Sequence, residues 1–129
     1  MDSKEASQLL TIFEMMNKSN KRTFNLLFDH NYKGHNLPIE DIKSLIIKIG
    51  GKINSNSGSH FSIELPNTYR SDASFIKSGS YIPHGTQDKS TQSAYELCQE
   101  AFTKAGITPE RIEMAQSINK RTNSKKREM

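Results

Sequence analysis

Apolar residues recur along this chain in two rhythms, and the change from one to the other marks out its elements. In "LPIEDIKSLIIKIGG", Ile39, Ile42, Leu45, Ile46 and Ile49 keep the three- and four-residue spacing of a single helix face. Pro38 suits a first-turn position, Glu40 and Asp41 suit the positive end of the helix dipole, and Gly50-Gly51 supplies the stop. "KINS" then reads as a short strand. After a Ser/Asn/Gly turn, "SHFSIEL" alternates Phe61, Ile63 and Leu65 with His60, Ser62 and Glu64. A period of two with one apolar face predicts a half-buried strand, paired antiparallel with the first. "SYIPH" predicts a third strand. The stretch before it, "PNTYRSDASFIKSG", reads as a long loop whose Phe75 and Ile76 can begin that strand.

The helical rhythm resumes in "STQSAYELCQEAFTKAG" through Ala94, Leu97, Cys98, Ala101, Phe102 and Ala105, with Ser93 and Glu96 as a capping box and Gly106 as the carboxyl-terminal cap. Near the amino terminus, "ASQLLTIFEMM" groups Leu9, Ile12, Phe13 and Met16, and "KRTFNLLFDH" groups Phe24, Leu27 and Phe28. These read as one or two amphipathic helices that pack on the sheet or on other helices, with a docking surface for a partner protein as the alternative. "TPERIEMAQSI" predicts one more short helix, with Thr108 as cap and Pro109 in its first turn. Consecutive strands flanked by helices imply an α+β domain, with the helices gathered on one face of a small antiparallel sheet and the other face left open.

Composition narrows this further. A length of 129 residues suits one core. With 33% hydrophobic residues, 25% charged, no tryptophan and a mean hydropathy of −0.71, that core is modest. Cys98 is the single cysteine, which excludes an intramolecular disulfide. No apolar run approaches the roughly 20 residues of a membrane-spanning helix, and "MDSKEASQLL" lacks the basic-then-apolar order of a signal peptide. A cytoplasmic location is the expectation.

The net charge of +4 and pI near 9.2 suggest nucleic acid until the charges are located. Residues 38–109 carry seven basic and seven acidic groups, whereas residues 110–129 carry six basic and three acidic. Most of the excess therefore sits in "INKRTNSKKREM", which has no apolar period after Ile118 and is expected to be disordered.

"IEDIKSLIIKIGGKINSNSGSHFSIEL", followed by "YIPHG" and "ELCQEAFTKAGITPE", resembles the HicA family of toxins from bacterial toxin–antitoxin systems. The Gly-Ser-His step opening the second strand carries the likeness most specifically, with the Pro-His-Gly step after the third strand and the Ala-Gly-Ile end of the last helix in support. The resemblance covers roughly residues 20–109. It implies a double-stranded-RNA-binding-domain-like fold, a three-stranded antiparallel sheet packed on one face by helices in the order α-α-β-β-β-α. Residues 1–19 are then an amino-terminal helical extension, and residues 110–129 a short helix with a basic, flexible tail.

The same resemblance places the family's catalytic histidine at His60. It implies a metal-independent mRNA endoribonuclease held in check by a cognate HicB-like antitoxin, with no cofactor. From the residues alone, the alternation that sends Phe61, Ile63 and Leu65 to the core puts His60 on the other face of the strand. An imidazole with a pKa of about 6.5 accepts and donates protons near neutrality. Lys52 on the neighbouring strand is a candidate to neutralise phosphate charge, and the amides of Gly58 and Ser59 are candidates to hold a phosphate oxygen. His84 is a candidate second proton carrier, although its parity with Ile82 favours a structural hydrogen-bonding role. His30 and His35 lie in "DHNYKGHNL" without a ligand cluster, so no metal site is expected.

Three features depart from the family pattern: the long segment from Asn67 to Gly79, the additional amino-terminal residues, and a core domain that is not basic. The last removes much of the counterion-release affinity on which RNA binding relies. A non-catalytic RNA-binding or protein-interaction module of the same fold is therefore the competing expectation.

Overall fold

A computed structural model of the protein describes residues 1–29, 37–55, 60–70, 72, 74–81 and 92–128, and at 39, 55, 60, 61, 79–81, 92–94 and 121–128 it describes the backbone alone. The order is α1 (Ser3–Met15), α2 (Lys18–Leu27), α3 (Ile39–Lys48), β1 (Lys52–Ser55), β2 (His60–Pro66), β3 (Phe75–Tyr81), α4 (Gln92–Ala105) and α5 (Pro109–Glu128). The class is α+β, as the alternating rhythms predict. Among the described residues no helix is long and apolar enough to cross a membrane.

The three strands form an antiparallel meander in the order β1-β2-β3, with Ile53 opposite Ile63 and Leu65 opposite Ile76. Ile63 and Leu65 are fully buried, and α3 and α4 pack against the sheet. Helix α2 lies against α3 and α4, where Phe24 meets the Phe102 ring at 6.0 Å and Phe28 edge-on at 5.4 Å. The carbonyl of Leu27, the last residue of α2, accepts hydrogen bonds from Tyr95 Oη and Gln99 Nε2 of α4 at 3.0 and 3.1 Å. Those bonds satisfy an end-of-helix acceptor that has no partner within its own helix.

Helix boundaries follow local chemistry. Asp2 caps α1 by accepting from Glu5 N at 2.8 Å, and Asn17 and Asn20 form a reciprocal capping box at the start of α2. Pro38 is the N-cap of α3, one position ahead of the first-turn place expected for it. At the far end Gly50 takes a φ of +87°, a conformation that disfavours any side chain. Gly51 is needed for room instead, because a Cβ there would stand 2.8 Å from Ile46 O and 2.9 Å from Glu64 O. Gly106, with a φ of +76°, closes α4 as predicted, and Ile107 N donates to Phe102 O across it at 2.9 Å. The expected Ser93–Glu96 capping box falls outside the described side chains.

One expectation is sharpened and one corrected. The third strand starts at Phe75, as the reading that Phe75 and Ile76 can begin it allows, and the Pro66–Phe75 pair opens a ladder that runs to His60–Tyr81. The intervening loop therefore ends at Ser74 and is shorter than the sequence suggests. The basic tail is also helical. Helix α5 is a continuous 20-residue helix rather than a short helix followed by a disordered end. Its first turns are fixed by burial of Ile112 and Ala115, and elongation from a formed helix costs little where Lys and Arg, good helix formers, follow.

Helix α1 packs on α5, so the two ends of the chain meet. Arg111 fastens the junction. Its Nη1 donates to Thr68 Oγ1 at 2.6 Å and Gly106 O at 2.9 Å, its Nη2 donates to Glu5 Oε2 at 2.9 Å, and its guanidinium lies 4.1 Å from the Tyr69 ring centroid. Thr68 in turn donates through both N and Oγ1 to Ala105 O, at 2.9 and 2.6 Å. One cation thus joins α1, the β2–β3 loop, the end of α4 and α5.

Candidate active site on the open face of the sheet

Helices cover the face of the sheet that carries Ile63 and Leu65. Strand alternation assigns the opposite face to Lys52 and Asn54 of β1, His60, Ser62, Glu64 and Pro66 of β2, and Phe75, Lys77, Gly79 and Tyr81 of β3. His60 opens the central strand, opposite Tyr81, at the parity expected of it. Its place follows from the hydrophobic register: a slip of one residue would bury His60 and expose Ile63 and Leu65.

Register rows across the sheet locate the other candidates. Lys52 stands opposite Glu64, four residues along β2 from His60 and so about 13 Å away. It is exposed, and its Nζ lies 5.5 Å from the centroid of the Phe75 ring, at the end of the sheet remote from His60. The structure therefore separates Lys52 from His60, which alternation within a single strand could not show. Gly58, Ser59 and His84 lie outside the described residues, as do His30 and His35. Among the described residues no three His, Cys, Asp or Glu side chains gather to hold a metal ion.

The row next to His60 is Asn54–Ser62–Gly79. Ser62 is only 4% exposed, and among the described residues its Oγ has no hydrogen-bond partner. A buried hydroxyl without a partner is uncommon in a folded protein. Asn54 Nδ2 donates to Glu64 Oε2 at 3.1 Å, which ties β1 to the centre of the face. The row beyond is Lys52–Glu64–Lys77, with one cation on each outer strand. Sequence reasoning passed over Asn54, Phe75 and Lys77. The signal for the latter two is the alternation Phe75, Lys77, Gly79 against Ile76, Ser78, which becomes legible once β3 is known to begin at Phe75.

No protein-family model, curated protein or solved structure matches this chain.

Proposed function

We propose that this protein is the toxin of a toxin–antitoxin pair, an mRNA endoribonuclease of the HicA type in which His60 transfers the proton. The observation that carries the reading is the placement of His60: the histidine of the Gly-Ser-His step opens the middle strand at a position on the sheet face opposite the helices. The sequence α3-β1-β2-β3-α4, helix, three-stranded meander, helix, supports the double-stranded-RNA-binding-domain-like reading of the core.

In this reaction the ribose 2′-hydroxyl attacks the adjacent phosphate. A base takes the hydroxyl proton, the O2′–P bond forms, the P–O5′ bond breaks, and an acid returns a proton to the leaving O5′. His60 fills one of these two roles and His84 is the candidate for the other. Gly58 and Ser59 are the candidates to hold a phosphoryl oxygen as negative charge builds on it. Lys52, on β1 and about 13 Å along the sheet from His60, is too far to meet the reacting phosphate, so its charge serves a neighbouring part of the substrate. The path requires no metal, and a cognate HicB-like antitoxin is the expected partner protein.

The test is incubation of the purified protein with single-stranded RNA in excess EDTA, beside His60→Ala. Cleavage by the parent and none by the variant is the expected result. Equal cleavage by the two proteins removes His60 from the mechanism, and no cleavage by either leaves a non-catalytic module of the same fold.

A further inference from the structure

The open face carries a second pattern, at the end away from His60. Phe75 is 46% exposed there, on a face otherwise polar apart from Pro66 and Gly79. Lys52 Nζ lies 5.5 Å from its ring, and Lys77 is the next residue of β3 on the same face. The lysines sit on the two outer strands and flank Glu64, whose carboxylate already accepts from Asn54. An exposed ring one row beyond a pair of lysines suits one class of ligand well. An unpaired base stacks on the ring while the phosphates beside it meet the cations. A duplex keeps its base faces hidden, so the same features do not suit paired RNA.

The rows align these groups with His60. From the Pro66–Phe75 pair to the His60–Tyr81 pair is six residues, about 20 Å along the strands. We propose that a single strand of RNA runs along this face, one base stacked on Phe75 and its phosphates at Lys52 and Lys77, towards His60. The His60 end of the track rests on the function proposed above; the Phe75 end stands on the geometry of the sheet. The arrangement also supplies local affinity to a domain whose overall charge is neutral.

The experiment is fluorescence anisotropy of a short labelled single-stranded RNA with the full chain carrying His60→Ala, which keeps the RNA intact. Adding Phe75→Ala or Phe75→Leu is expected to weaken binding roughly 5- to 100-fold, the usual effect of removing a stacking ring. The leucine variant keeps apolar bulk at the edge strand, so its loss reads the ring rather than folding. Replacing Lys52 and Lys77 by Gln is expected to lower the slope of log affinity against log salt by about 1.4, the value for two single-strand phosphate contacts. Duplex RNA of the same sequence is expected to compete poorly. Binding that is absent, indifferent to Phe75, or matched by the duplex overturns the track. Phe75-dependent binding without cleavage by the parent protein keeps the track and removes the nuclease. His60-dependent cleavage with Phe75-independent binding does the reverse.

Discussion

Replacing Arg111 by Met is expected to destabilise the protein by about 2–3 kcal/mol. The figure follows from the surroundings of the guanidinium. It donates three hydrogen bonds, to Thr68 Oγ1, Gly106 O and Glu5 Oε2, and covers the Tyr69 ring. Methionine keeps the stem over Tyr69 but removes all three bonds and leaves the Glu5 carboxylate without its cation. Breaking a fully buried pair typically costs about 3–5 kcal/mol. Here the side chains are 15% and 24% exposed, so water offsets part of that loss. Thr68 also retains Ala105 O as an acceptor. Urea unfolding followed by circular dichroism measures the change; at an m-value of about 1–3 kcal/mol/M the midpoint falls by about 1 M. Glu5→Gln and the double variant complete a cycle whose coupling energy is expected near 1 kcal/mol. A loss below about 0.5 kcal/mol for Arg111→Met, the range of an ordinary surface change, would falsify the view that this cation fastens the two ends of the chain.

The adjacent glycines after α3 are predicted to respond unequally. Gly50→Ala meets open space and costs about 1 kcal/mol for its left-handed backbone, whereas Gly51→Ala forces a methyl against Ile46 O and Glu64 O and costs about 2–4 kcal/mol; thermal unfolding of the two variants reads the order. Phe102→Ala, at a fully buried position touching Phe24, is expected to cost about 3–5 kcal/mol in the same assay. Burial pushes the Cys98 thiol up to about 12, so a thiol-specific dye at pH 8 should label it only after denaturant is added. The sign of its pH dependence also follows. Above about pH 9 the unfolded thiol ionises and the folded one does not, so stability should fall by up to about 1.4 kcal/mol per unit towards pH 12, and Cys98→Ala should flatten that slope.

Where a rhythm is uninterrupted, the sequence alone is sufficient. The apolar stripe of α3, its Gly50-Gly51 stop, the alternation along β2 and the Gly106 end of α4 all read directly, because each is a local pairing of residue type with backbone geometry. The same alternation sets the parity of His60, since burying Ile63 and Leu65 leaves one register. The stretch from Lys77 to Gly79 in β3 does not read this way. Ser78 and Gly79 have little strand propensity, and their conformation is decided by hydrogen bonding to β2. Helix α5 runs on past its last apolar residue for a related reason, being nucleated where Ile112 and Ala115 are buried.

The sequence by itself determined the class of the fold, the order of its elements and the side of the strand to which His60 belongs. Tertiary structure alone decided what stands beside what. It set Lys52 about 13 Å along the sheet from His60 and next to Phe75, and it brought Glu5 to Arg111 across more than a hundred residues of chain. Periodicity is a property of neighbours along the backbone and fixes which face a residue takes. The row it shares is fixed by strand pairing and helix docking, which depend on residues far away in sequence.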